Sequence, residues 1–155
     1  MQRGQKKLGE ILVEKGLINQ QQLKEALEQQ ARTKEFLGAI LLKKRLIEEK
    51  ELQAALSQQF DIPVVSLKDK YIDWNMVREF HSSLILDYKC FPLQRDDWSV
   101  TVAITNPLDI WAIKRAEEET AGSKLKLVLV STADMNEAIA RYQQYIRADI
   151  QKRFK

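Results

Sequence analysis

Residues Lys7–Gln30 read KLGEILVEKGLINQQQLKEALEQQ, and Phe36–Gln59 read FLGAILLKKRLIEEKELQAALSQQ. The two segments are identical at 12 of their 24 positions, and the five-residue connector 31–35 separates them. Agreement at a fixed offset over so short a window indicates a true internal repeat, with one supersecondary unit in each copy. The first 60 residues are therefore expected to form a pseudo-symmetric pair of units.

Each copy has the pattern of a helix, a tight turn and a second helix. In the first copy, Leu8, Ile11 and Leu12 share one face of a helix. Gly16 stands where a left-handed residue would end that helix, and Asn19 is a suitable N-cap for the next one. We therefore predict two helix-turn-helix units.

The second copy differs from the first at the turn, where Arg45 replaces Gly16. A left-handed conformation costs a non-glycine residue roughly 1–2 kcal/mol. We therefore expect the second turn to have a different shape.

After Gln59 the hydrophobic pattern changes from helical to mixed. Pro63 breaks the helix, and 64–67 reads as a short extended segment. The predicted fold class is α+β: an all-helical tandem repeat at 1–60, then a small α+β unit at 61–155 with a roughly three-stranded sheet. The predicted elements after the break are helices at 74–81, 84–88 and 109–121, strands at 90–94, 98–104 and 125–130, and a last amphipathic helix from Ser131 to at least Tyr145.

Composition narrows the function classes. With 45% hydrophobic and 30% charged residues, this is a globular chain without an apolar run long enough to span a membrane. The net charge of +3 arises within 1–59, which hold 11 Lys and Arg against 8 Asp and Glu. That excess is too sparse for a nucleic-acid binder, so no nucleic acid is expected. The single cysteine fits a reducing compartment.

Catalytic chemistry is not indicated. The five glycines, at positions 4, 9, 16, 38 and 122, do not permit a GxxxxGK[ST] phosphate loop, so the chain is predicted to be no ATPase. His81 is expected to cap a helix or lie on the surface, and Cys90 to be a buried small residue. No catalytic or metal-ligating residues are predicted. Trp74, Trp98 and Trp111 are expected to anchor the core.

Three segments together carry a family resemblance. The repeated LGxxLxxxGLIxxxxLxxALxxQ, then ALSQQFDIPVVSL at 55–67 and CFPLQRDDWSVTVAITNPLD at 90–109, resemble the N-terminal domain of type II secretion and type IV pilus assembly ATPases. The likeness runs from about Lys7 to Tyr145. In that family the domain precedes a hexameric motor and docks it on an inner-membrane assembly protein, and in a subset it binds cyclic di-GMP.

The resemblance implies a non-catalytic regulatory or docking module that couples a motor to its membrane platform. The implied partners are the cytoplasmic domain of an inner-membrane platform protein and a motor ATPase domain, in cis or in trans. The implied location is the cytoplasm, peripheral to the bacterial inner membrane, without direct membrane insertion.

The alternative that the resemblance implies is a cyclic di-GMP sensor, because a ligand with two guanines suits a two-copy site. In binding members each copy opens with Arg-Leu-Gly. The positions of this chain that match the family's ligand-binding residues are Lys7, Leu8, Gly9, Leu23, Leu27 and Gln30 in the first copy and Phe36, Leu37, Gly38, Leu52, Leu56 and Gln59 in the second.

Two of these positions depart from the family pattern. Lys7 keeps a positive charge but lacks the planar fork that arginine offers to guanine O6 and N7. Phe36 has no donor, although its ring can stack on a base. Leucines at helical spacing are also typical of a plain core, so the docking and the ligand-binding interpretations both stay open.

Overall fold

The computed structural model describes residues 7–154. It divides into two compact units, the first ending at Ile62 and the second beginning at Pro63. The described residues form eight helices and one sheet of three strands, and all three strands lie in the second unit. The predicted α+β class is therefore confirmed.

The first unit consists of two helix-turn-helix pairs, as the repeat predicts. α1 packs against α4, and α2 packs against α3, so each copy is completed by a helix of the other. Equivalent side chains from the two copies form the centre, since Ile11, Leu12, Ile40 and Leu41 are all at most 2% exposed. The helices are α1 (Leu8–Glu14), α2 (Gln20–Thr33), α3 (Leu37–Lys43) and α4 (Glu49–Phe60).

The second helix of each copy begins at a capped residue. Asn19 Oδ1 accepts a hydrogen bond from the Gln22 N–H at 2.8 Å, and Gln22 Oε1 accepts one from the Asn19 N–H at 2.9 Å. This reciprocal pair is a capping box. In the second copy the Glu48 N–H donates to Glu51 Oε1 at 2.8 Å. The start of the second helix is thus fixed at the same repeat position in both copies.

The turn between the helices has the same backbone in both copies. Gly16 has φ 73° and Arg45 has φ 59°, so both are left-handed. The Gly16 N–H donates to Val13 O and the Arg45 N–H donates to Leu42 O, each at 3.0 Å. The expectation of a differently shaped second turn is therefore wrong. The packing of the two flanking helices and these hydrogen bonds outweigh a local cost of about 1 kcal/mol.

The second unit begins with short helices and ends in a long one. Its elements are α5 (Trp74–Val77), α6 (Ser82–Leu86), β1 (Phe91–Arg95), β2 (Ser99–Ile104), α7 (Ile110–Glu119), β3 (Lys124–Leu129) and α8 (Thr132–Arg153). α5 ends short of the predicted His81, because the chain turns after Arg78 to bury Phe80. His81 instead caps α6.

The sheet has the order β1-β2-β3. β1 runs antiparallel to β2, with an irregularity between Pro92 and Gln94, and β2 runs parallel to β3 through the connecting helix α7. Val64 adds a parallel bridge to Leu129 on the outer side of β3. The extended segment after Pro63 therefore pairs with one end of β3.

The core of this unit draws on the strands, the short helices and α8. Trp74 lies at its margin, where its ring stacks on Tyr145 at a centroid distance of 5.0 Å and meets Phe91 edge-on at 6.3 Å. The largest fully buried side chains of this unit are Val77, Leu84, Ile85, Phe91, Val100, Ile104, Leu129 and Met135.

Two of the three tryptophans are not core residues. Trp98 is 82% exposed and Trp111 is 68% exposed, so the expectation that they anchor the core is wrong. Trp98 continues the alternation of β2, but the strand begins one residue later, after the turn. Trp111 lies on the outer face of α7, whose inner face is formed by the small side chains of Ala112 and Ala116.

Arg45→Gly is expected to raise the free energy of unfolding by about 1 kcal/mol, because it relieves a left-handed arginine without altering the turn. Urea denaturation measures the change. The matched control is Gly16→Arg, which should lower stability by a similar amount. A Cβ added at Gly16 meets no heavy atom within 4 Å, so the backbone alone is tested. Equal stability of both variants and the parent would contradict this account.

The second unit is proposed to fold on its own, because its sheet, its helix caps and its core are formed by residues after Ile62. A fragment spanning 63–155 is expected to give sharp, dispersed amide resonances in a two-dimensional NMR spectrum. A collapsed spectrum typical of a molten globule would show that this unit needs the repeat in order to fold.

Candidate functional site

The first residue of each copy, which we call its opening, has the same backbone geometry in both copies. Lys7 precedes α1 with φ −68° and ψ 153°, and Phe36 precedes α3 with φ −64° and ψ 141°. Their carbonyls accept the hydrogen bonds of the Ile11 and Ile40 N–H groups, both at 3.1 Å. Both opening side chains are exposed. The openings therefore present different chemistry, a flexible cation and an aromatic ring, from the same frame.

The glycine of each copy lies directly beneath a leucine of the following helix. A Cβ built on Gly9 would lie 2.6 Å from Leu23 Cδ1, and one on Gly38 would lie 2.8 Å from Leu52 Cδ1. Neither position leaves room for a methyl group while the leucine keeps its place. The structure therefore brings four of the predicted site residues together as two pairs, Gly9 with Leu23 and Gly38 with Leu52, and these pairs pack the helices of each copy.

The remaining leucines of the predicted site are unequally placed in the two copies. Leu8 and Leu37 are buried in both. Leu27, however, is 44% exposed, whereas its counterpart Leu56 is only 3% exposed. Of these two counterparts, only Leu27 in the first copy is accessible to a ligand.

The closing glutamines also differ between the copies. Gln30 Nε2 donates to the carbonyl of Glu35 at 3.2 Å and so ties the end of the first copy to the connector. Gln59 Oε1 is buried and has no hydrogen-bond partner within residues 7–154. An unpaired buried acceptor is costly, so the side-chain oxygen of Gln59 is an unsatisfied acceptor at the end of the second copy.

Charge is distributed unevenly around the openings. Glu35, which precedes Phe36, forms an ion pair with Lys43 at 2.9 Å. The second opening therefore carries a carboxylate with its own counter-ion and an apolar ring. Lys7 gives the first opening an exposed cation. Uncompensated positive charge at the openings is accordingly concentrated in the first copy.

An open groove of about 400 Å³ runs along α2 of the first copy. It includes the predicted site residues Leu23 and Leu27. The motif did not single out its other lining residues, although their helical spacing places them on the same face. They are Gln20, Lys24, Glu28 and Ala31.

The other reactive side chains have structural roles. His81 Nδ1 accepts the Ser83 N–H at 3.2 Å, which confirms the predicted cap. Cys90 is fully buried, as predicted. Burial, followed by the nearby Asp109 carboxylate, raises the pKa of the Cys90 thiol to about 12. It therefore stays protonated and is a poor nucleophile at neutral pH.

Residues 7–154 contain neither a candidate metal site nor a candidate membrane span. In this range no three His, Cys, Asp or Glu side chains come together in a way that could hold a metal ion. The same residues include no helix with both the length and the apolar character needed to cross a membrane.

Residues 60–149 match the model of the MshEN domain family. The chain belongs to this family. The matched range covers most of the second unit, so the family assignment is independent of the repeat from which the resemblance started. The predicted resemblance is confirmed by this match and by the relatives.

This MshEN chain is 32% identical over 136 residues to the type IV pilus assembly ATPase PilB of Myxococcus xanthus (strain DK1622). The alignment covers 88% of the chain but only 24% of that relative's length. The chain therefore spans about a quarter of the ATPase that it matches.

Solved structures give the same fold. A structure of MshE with cdg aligns with a TM-score of 0.81 and 25% identity, over 88% of this chain and 99% of that one. A structure of the N-terminal domain of XpsE aligns with a TM-score of 0.69 and 18% identity, over 91% and 97%. The MshE alignment is long enough to include residues of both units.

Proposed function

We propose that this MshEN chain is a non-catalytic regulatory module of a type II secretion or type IV pilus motor, and that its tandem repeat binds cyclic di-GMP weakly. The observation that carries the proposal is the equal geometry of the two openings, at Lys7 and Phe36. A two-fold ligand needs two such frames. The likeness to MshE with cdg, the abbreviation of cyclic di-GMP, supports the choice of ligand.

In this proposal the first copy carries the polar recognition. The Lys7 ammonium attracts a phosphodiester or a guanine edge as a point charge, without the planar pairing of arginine. Leu27, in the second helix of the same copy, is exposed and can cover a base. The second copy contributes stacking through Phe36, which is 45% exposed.

The motor itself is assigned to another polypeptide segment, in cis or in trans. The sequence has no phosphate-binding loop, and the family match is to an N-terminal domain of such ATPases. We therefore propose that the chain hydrolyses no ATP. It would act in the cytoplasm, at the inner-membrane base of the assembly.

A second function, docking on the cytoplasmic domain of the membrane platform, is supported by the outer edge of β3. The Leu129 N–H donates to Pro63 O, and the Val65 N–H donates to Leu129 O, both at 2.8 Å. Leu129 thus directs both backbone groups away from β2. The N–H and C=O groups of successive residues point to alternate sides of a parallel strand. Leu125 and Leu127, four and two residues before Leu129, therefore direct their backbone groups to the same outer side.

The backbone groups of Leu125 and Leu127 have no hydrogen-bond partner among residues 7–154. An extended partner segment can pair there by strand addition. The opposite edge, β1, is less suitable, since it contains Pro92 and an irregular register. We therefore propose that docking uses the α+β unit at β3.

The double substitution Lys7→Arg and Phe36→Arg is expected to tighten cyclic di-GMP binding by about two decades or more, because one bidentate guanine contact contributes roughly 1–3 kcal/mol. Isothermal titration calorimetry compares it with the parent chain. The control is the pair Lys15→Arg and Lys44→Arg, at exposed equivalent positions outside the site, which should leave affinity unchanged. No heat from the double variant at high micromolar ligand would show that the repeat serves as architecture only.

Leu127→Pro is expected to reduce capture of the platform protein's cytoplasmic domain about tenfold, because it removes one hydrogen bond of the added strand, which contributes up to roughly 1.5 kcal/mol. The substituted N–H faces away from β2, so the β2–β3 ladder is kept. Circular dichroism should confirm the fold, and Leu127→Val, which keeps the N–H, should bind normally. Full capture by the proline variant, with loss of capture on deletion of 1–59, would move docking to the repeat.

A further inference from the structure

α8 continues well beyond the part that packs on its own unit. Its last buried residue, Tyr142, lies eleven residues before the end of the helix at Arg153. The other buried residues of α8 are Met135, Ala138 and Ile139. Tyr145 still stacks on Trp74, but none of 146–154 is buried. At about 1.5 Å per residue these nine residues form an overhang of roughly 13 Å. We call 146–154 the α8 overhang.

An apolar stripe follows the α8 overhang. Ile146, Ile150 and Phe154 are spaced four residues apart, so they lie along one face of the helix. Ile150 is 48% exposed and Phe154 is 86% exposed, the largest value among the exposed large hydrophobic side chains. The stripe continues the face that is buried earlier in α8. It is a convex ridge rather than a groove.

Positive charge is concentrated in the α8 overhang. It contains three cations, Arg147, Lys152 and Arg153, and one carboxylate, Asp149, a balance of 3 − 1 = +2. Residues 60–145 contain 10 Lys and Arg against 13 Asp and Glu, a balance of −3. The second unit is therefore strongly polarised toward the α8 overhang.

Two of the cations, Arg147 and Arg153, lie beside the stripe. At about 100° per residue, Arg147 lies just beyond Phe154 on one side, and Arg153 lies just beyond Ile146 on the other. Asp149 is paired with Arg153 at 3.3 Å, so these two charges offset each other and Arg147 supplies the uncompensated positive charge beside the stripe. Long basic side chains on both sides of an apolar ridge can reach phosphates while the ridge enters an apolar layer.

We propose that the α8 overhang binds the surface of an anionic lipid bilayer, with Phe154 and Ile150 inserted at the headgroup boundary and the flanking arginines on lipid phosphates. Helices that lie in this interface combine an apolar stripe with Lys and Arg. Anionic headgroups attract such cations over about one Debye length. A convex basic ridge fits a soft, flat anionic surface better than it fits a preformed cleft. The contact is interfacial, and it does not depend on cyclic di-GMP binding.

The test is sedimentation of the full chain with lipid vesicles. Binding is expected with vesicles that contain about one third phosphatidylglycerol in phosphatidylcholine, and not with phosphatidylcholine alone. Raising the salt from about 0.05 to 0.5 M should weaken binding, since both arginines act through screened charge. Equal binding to both vesicle types, or no binding to anionic vesicles, would overturn the proposal and leave the ridge to a protein partner.

Point variants locate the contact. Phe154→Ser is expected to lower the partition coefficient about tenfold, and Arg147→Gln about fivefold. Both positions are exposed, so the fold should be kept, and circular dichroism checks this. Matched controls are Tyr71→Ser, at an aromatic side chain that is 84% exposed, and Lys68→Gln, at an exposed lysine elsewhere. Binding that survives both overhang variants, or falls equally in the controls, would place the lipid contact elsewhere and overturn the proposal.

Discussion

The close approach of a leucine to a glycine backbone is the constraint on which the first unit depends. Leu23 covers Gly9 and Leu52 covers Gly38, at distances that a Cβ would not allow. This contact sets how near the second helix of each copy lies to the first. The core that both copies share is then filled by side chains from equivalent repeat positions, such as Ile11 and Ile40. The positions of the motif that are identical in both copies therefore serve mainly to pack the helices.

Because both motif glycines and most motif leucines are occupied with packing, few side chains remain to choose a ligand. Lys7 and Phe36 are held in the same backbone frame but differ in chemistry. The side-chain oxygen of Gln59 has no hydrogen-bond partner within residues 7–154, whereas the side chain of Gln30 donates a hydrogen bond to the connector at Glu35. A repeat can thus keep its fold while its two copies diverge in recognition, since packing and recognition fall on different residues of one motif.

The second unit separates its interior from its contact surfaces in a different way. Its small sheet leaves the outer side of β3 half paired, because Pro63–Val65 reaches only the Leu129 end. Its acidic body and basic α8 overhang give it a strong charge asymmetry. Trp98 and Trp111, two large apolar side chains, are exposed rather than buried. Exposed aromatic residues are typical of protein contacts, so this unit offers more surface for partners than its modest core suggests.

The sequence by itself determined the repeat, its helix-turn-helix units, the Asn19 cap and the three strands, because period, caps and breaks are local signals. It also pointed to the twelve motif positions. Tertiary structure alone decided the left-handed Arg45, the early end of α5 at Val77, the exposure of Trp98 and Trp111, and the unequal burial of Leu27 and Leu56. Each of these depends on which distant side chains pack nearby, and no local pattern contains that information.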